Sequence, residues 1–285
     1  MTTIIGIHGL ANKPPAGQLA EWWDAAIRDG LHRNKNFTNP DFTFTSVYWA
    51  DYMYGPDAGA AGEEPYPYMP DDMLKANRPL MTYQDGWLDE LRADASKYVG
   101  NALDFLKGKL DIEHAAAAVL EWKLKDLHRY YEEPGTREEL RWRLKQAVKE
   151  ALAADGKTMV ISHSMGTIIA FDALQELSAE CPAGTLDHWI TLGSPLGLPH
   201  VVLQIAREWG EPATPALVAR WTNFADKRDP VAADTHLRDD YAKNAAGVGV
   251  RDDLVINDYG GIHHKSYGYL RAPEVSEAIA VFLGG

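Results

Sequence analysis

The chain has 285 residues, 46% hydrophobic and 24% charged, which suits one large α/β domain or two small ones with a sizeable core. A net charge of −13 argues against nucleic acid or an anionic membrane as the main partner. The single cysteine, Cys181, excludes an intramolecular disulfide and a thiolate metal cluster, and it fits a reducing compartment. The opening Met1 to His8 has no basic stretch and no long apolar run, so no signal peptide is read. No apolar run is long enough to span a bilayer, and a cytoplasmic protein is expected.

Thr3-Ile4-Ile5-Gly6-Ile7 is a β-branched run that predicts a short buried strand, followed by His8-Gly9-Leu10. Beyond a Pro-containing loop, Leu19, Trp22, Trp23, Ala26 and Ile27 fall on one helical face. The stretch from Phe42 to Trp49 alternates and then turns apolar, predicting a second strand. Residues 51–135 depart from this rhythm. Tyr52 to Tyr68 is rich in Gly, Pro, Tyr and acid, and Asp71 to Tyr131 is mostly helical in pattern, with Pro134-Gly135 as its close. This segment reads as an insertion within a single domain covering 1–285, either a cap or lid or a helical elaboration on the flank.

Thr136-Arg137-Glu138-Glu139 reads as a capping box ahead of a helix whose apolar face is Leu140, Leu144, Ala147, Val148, Ala151 and Leu152. Lys157 to Ile161 predicts a buried strand, and Thr167 to Leu177 a largely buried helix. A strand from Asp187 to Leu192 exits through Gly193-Ser194-Pro195. A helix over about Pro199 to Trp209, or else a Pro/Gly loop, comes next. Trp221 to Val231 reads as a strand with an acidic turn, and Leu254 to Asn257 as the last strand. Pro273 opens a final helix with Val275, Ala278, Ile279 and Phe282 turned inward.

Strand, Ser162-His163-Ser164-Met165-Gly166, helix resembles the nucleophile elbow of the α/β-hydrolase family, with Ser162 at the first Gly position of Gly-x-Ser-x-Gly. Small residues are needed there because the strand and helix backbones approach closely. A Ser-rich helix cap is the plainer alternative for the five residues alone. The resemblance implies further roles. His8-Gly9 would open the oxyanion loop, with the backbone N–H groups of Leu10 and Met165 as donors worth about 3–4 kcal/mol each. His8 would hold the loop and not act as a base. Asp229, in Asp229-Pro230-Val231, takes the place of the family's acid, with Asp226 as runner-up. His264 takes the place of the histidine after the last strand, with His263 adjacent. The order Ser164, Asp229, His264 is the family order.

The fold implied is an α/β-hydrolase with about six mostly parallel strands in the order 2-1-3-4-5-6, helices on both faces and a helical cap-like insertion. The two family strands that normally precede the first are absent. The implied activity is a serine hydrolase acting on small-molecule carboxylic esters; a thioesterase or acyltransferase would use the same three residues. A non-catalytic binding module on the same fold, or an interaction protein using the acidic insertion, are the other readings. Serine at the elbow argues against dehalogenase and epoxide-hydrolase chemistry. No Gly-x-Gly-x-x-Gly follows a strand and no phosphate loop is present, so no cofactor is expected. Neighbouring loop histidines rarely ligate one ion together, so no metal is expected at His263-His264.

Overall fold

A computed structural model describes residues 1–10, 13–55, 79–84, 126–259 and 263–284. In chain order these form β1 (Thr3–Ile7), α1 (Ala16–Lys35), β2 (Thr43–Val47) and α2 (Ala50–Tyr54). Then come α3 (Pro134–Ala153), β3 (Thr158–His163), α4 (Met165–Glu180) and β4 (His188–Leu192). The last are α5 (Pro199–Trp209), β5 (Trp221–Ala225), β6 (Val250–Leu254), α6 (Ser266–Arg271) and α7 (Pro273–Leu283).

The six strands form one sheet in the order β2-β1-β3-β4-β5-β6, every neighbouring pair parallel. The expected order is therefore observed, and β3, the strand that leads into Ser164, lies inside the sheet. Successive strand residues feed opposite faces, as the pleat requires. Ile5, Ile7, Val160, Trp189 and Trp221 face a core closed by α3, α4 and α5. Ile4, Met159, Ile161, Ile190, Leu192 and Phe224 face the other core, closed by α1, α6 and α7. A sheet covered on both sides explains why its inner strands read as continuous apolar runs. On the α4 side Trp189 and Trp221 stack across β4 and β5, with ring centroids 4.2 Å apart.

Three details depart from the sequence reading. The last strand is Val250–Leu254, not Leu254–Asn257. It is the edge strand, and Val-Arg-Asp-Asp-Leu is polar because only one end of it is buried. The apolar signal at Val255 marks a fully buried residue just past the strand end. The capping box does not form: the helix cap is Glu133, Pro134 occupies the first turn, and Thr136 lies inside α3. Proline lacks an N–H and is preset for the first helical position, so the start moves upstream of Thr136. The Thr136 hydroxyl instead donates to Glu133 Oε2 at 2.8 Å. Pro134 thus opens a helix rather than closing the insertion. Where a loop was the alternative, 199–209 is helical.

Most of the 51–135 insertion, including 56–78 and 85–125, lies outside the described residues, and so does its cap or lid character. Its two described ends meet. The Tyr54 hydroxyl donates to Asp126, and Arg129 Nη1 donates to the Met53 carbonyl at 2.9 Å. The downstream end is bound to α4 through Asp172, which is 1% exposed. Asp172 Oδ2 accepts from Tyr130 Oη at 2.7 Å and Arg137 Nη2 at 2.7 Å, and its Oδ1 accepts from Trp209 Nε1 at 2.9 Å. A buried carboxylate needs this many donors to offset its lost hydration. The same bonds lock 126–132, α3, α4 and α5 together.

Candidate active site

The site forms at the C-terminal ends of the strands, where open parallel sheets place their clefts. Ser164 follows β3 directly and caps α4 with φ 54° and ψ −131°. Positive φ is costly for a residue with a Cβ, on the order of 1–3 kcal/mol, and persists only when the surroundings impose it. Here both sides impose it. The Ser164 N–H donates to the Leu192 carbonyl at 3.0 Å, and its carbonyl accepts from Thr167 N at 2.9 Å and Thr167 Oγ1 at 2.7 Å.

The departure at Ser162 has a local explanation. Its hydroxyl donates to the Ile190 carbonyl at 3.1 Å and accepts from Trp189 Nε1 at 2.9 Å. The side chain is thus spent on β4, fully buried and fully bonded. Tight approach falls instead on Gly166 and Gly9. A Cβ at Gly166 would lie 2.6 Å from the His8 carbonyl oxygen and 2.8 Å from that of Ile7. A Cβ at Gly9 would lie 2.5 Å from Ser164 Cβ. The loop after β1 therefore rests directly on the elbow. Gly166→Ala is expected to destabilise the fold by about 1–3 kcal/mol, because the atoms it meets are backbone and cannot rotate away. The urea midpoint of that variant measures it.

His264 arrives between β6 and α6. Its Nε2 lies 2.9 Å from Ser164 Oγ, and its Nδ1 lies 2.7 Å from Asp229 Oδ2. A carboxylate only accepts, so the proton sits on Nδ1 and Nε2 is left to accept from the serine hydroxyl. Ser164, Asp229 and His264 are all buried, at 1%, 2% and 8% exposure. The runner-up residues stand elsewhere. His263 has φ 53° and donates from Nδ1 to the Asn257 carbonyl at 3.2 Å. Asp226 is taken up by Arg228, which reaches Oδ2 through Nη2 at 2.7 Å, and by the Asn257 N–H, also 2.7 Å from Oδ2.

His8 holds the loop. Its Nε2 accepts from the Trp49 N–H at 3.0 Å, its Nδ1 donates to the Gly9 carbonyl at 2.8 Å, and its ring stacks on Trp49 at 4.6 Å. Burial, and then the charge of Lys13, push the imidazole down to about 3, so it stays neutral. Lys13, on the same loop, is itself pushed down to about 7, by burial first and by Lys265 second.

No family model matches this chain, and no curated protein matches it.

Several supporting residues escaped the sequence reading. His163, between the two elbow serines, donates from Nε2 to the His264 carbonyl at 2.8 Å. Asn257 spans the histidine loop: its Nδ2 donates to the Lys265 carbonyl at 2.9 Å, and its Oδ1 accepts from the Tyr259 N–H at 3.1 Å. Gly193, at φ 52°, leaves room for the acid, since a Cβ there would lie 2.7 Å from Asp229 Oδ2. The Gly-Ser-Pro exit of β4 was the available signal for Gly193. Nothing in sequence spacing points to His163 or Asn257. Among the described residues no three His, Cys, Asp or Glu side chains gather in a way that could hold a metal ion, and no helix is long and apolar enough to cross a membrane.

Proposed function

We propose that the protein is a serine hydrolase that cleaves carboxylic esters through Ser164, His264 and Asp229. The observation that carries this reading is the continuous hydrogen-bond relay from Ser164 Oγ through both nitrogens of His264 to Asp229 Oδ2. Strained backbone at the serine and the adjoining Gly9 loop support it.

In this reading Ser164 Oγ attacks the acyl carbonyl while His264 Nε2 takes its proton. The Asp229 carboxylate stabilises the imidazolium that results and keeps the useful tautomer. The carbonyl oxygen gathers negative charge and is met by the backbone N–H groups of Met165, at the start of α4, and Leu10, on the loop against the elbow. The imidazolium then protonates the departing alcohol. Water, deprotonated by the same histidine, releases the acid from the acyl-enzyme. One cysteine and the acidic surface fit an intracellular small-ester enzyme.

The test is a fluorophosphonate probe, which bonds only to a serine activated in this way. Labelling is expected at one site, on the peptide carrying Ser164, and to weaken as pH falls and His264 becomes protonated. A folded protein that takes no label at pH 8, and turns over no nitrophenyl ester from acetate to laurate, removes the reading.

A further inference from the structure

One buried group touches the relay without belonging to it. Tyr269, on α6, is fully buried. Its hydroxyl donates to Asp229 Oδ2 at 2.8 Å and accepts from the Asp226 N–H at 3.0 Å. The oxygen that receives His264 Nδ1 thus receives a second donor. Asp229 Oδ1 is occupied by the Val231 N–H at 2.9 Å. Burial first, and then the Asp229 charge, hold the phenol well above its ordinary range, so it remains a donor at any working pH.

We propose that Tyr269 is a positioning residue that competes with His264 for one oxygen of Asp229, and so limits how tightly the imidazolium is held. The inference rests on the Ser164–His264–Asp229 reading for its role in catalysis. The physical argument is charge sharing. A desolvated carboxylate oxygen divides its negative charge among its donors, so each added donor weakens the others. An imidazolium held too tightly is a poor acid when the alcohol must leave, and one held too loosely is a poor base. The Asp226 backbone N–H donates to the same hydroxyl and fixes its orientation toward Asp229.

The other ionisable groups around this cluster are His163 from β3, whose ring centroid is 4.7 Å from that of His264, and Asp226 with Arg228 from the turn after β5. Arg228 is engaged with Asp226, and His163 with the His264 carbonyl. Lys265 follows His264 in the chain. Tyr269→Phe changes none of these charges, so a change in His264 titration reports the lost hydroxyl.

The experiment is NMR titration of the His264 imidazole in the full-length protein, wild type against Tyr269→Phe, which needs no substrate. Without the phenol the carboxylate grips the imidazolium harder. The His264 midpoint is expected to rise by about one pH unit, a tenfold change in acid dissociation. In an Asp229→Asn background the same change is expected to move it no further. A folded Tyr269→Phe protein whose His264 midpoint stays put overturns the proposal. Should that variant fail to fold, the wild type decides. A slowly exchanging Tyr269 hydroxyl proton with a cross-peak to the His264 Nδ1 proton supports the shared oxygen, and a freely exchanging hydroxyl overturns it. Fluorophosphonate labelling separates the two readings. A labelled Ser164 with an unmoved midpoint sinks the tyrosine role alone, and an unlabelled serine with a raised midpoint sinks the hydrolase reading alone.

Discussion

Ser164→Ala is expected to lower kcat/KM on a nitrophenyl ester by about 10⁵-fold and to abolish fluorophosphonate labelling. The loss is this large because no second hydroxyl replaces it. Thr167 and Ser194 are the near candidates, but their hydroxyls bond each other at 2.9 Å, and Thr167 also donates to the Ser164 carbonyl. The backbone makes a companion variant informative. Alanine keeps the Cβ and hence the strain of φ 54°, so Ser164→Ala should melt near the wild type. Glycine has no such penalty. Ser164→Gly is expected to lose as much activity and to gain about 1 kcal/mol of stability. A variant more stable than its parent yet inactive shows that the fold tolerates the strain for the sake of the hydroxyl. Equal activity in Ser164→Ala and wild type ends the proposal that this serine is the nucleophile.

How much of this was legible in the sequence depended on burial. Strands covered on both faces wrote themselves as apolar runs: Thr3–Ile7 and the Val160-Ile161 segment of β3 are examples. Their order was not written in the runs themselves and came from the resemblance to the α/β-hydrolase family. The edge strand Val250–Leu254 did not write itself, because a half-solvated strand needs no apolar run, and the stronger signal lay one step downstream at Val255. The capping box failed for a different reason. Two start signals stood two residues apart, and Pro134, which cannot sit deeper in a helix, outranked Thr136. Ser162 looked like a flaw in the elbow, and proved to be a bonded strand residue, with the close approach carried by Gly166 and Gly9. The contacts made by Tyr269 were hidden altogether. Nothing in Tyr-Gly-Tyr-Leu-Arg singles out its second tyrosine, and only the fold brings α6 against the turn after β5.

The choice between Asp226 and Asp229 shows the same limit, and it yields the second large effect. Both follow β5 and both are buried, and only the resemblance of Asp229-Pro230-Val231 to the family's acid ranked Asp229 ahead of Asp226. Asp229→Asn is expected to lower kcat about 10⁴-fold with little loss of stability. The asparagine oxygen can still accept from Val231, which leaves its NH₂ facing His264 Nδ1 and the Tyr269 hydroxyl, which can rotate to accept from it. Two donors cannot face each other, so the imidazole takes the other tautomer, with its proton on Nε2. It then presents a donor to Ser164 Oγ and cannot accept the serine proton. Asp226→Asn should behave in the opposite way. That carboxylate accepts from Arg228 N at 2.8 Å, Arg228 Nη2 at 2.7 Å and Asn257 N at 2.7 Å, so an amide puts a donor against donors there too. The expected cost is about 2–3 kcal/mol of stability. The effect on kcat is smaller, since His264 keeps its partner and loses only the anchoring that Asn257 gives its loop. Urea unfolding and kcat at pH 8, measured on both variants, place each aspartate. A 10⁴-fold loss in Asp226→Asn with near-normal turnover in Asp229→Asn would exchange their roles.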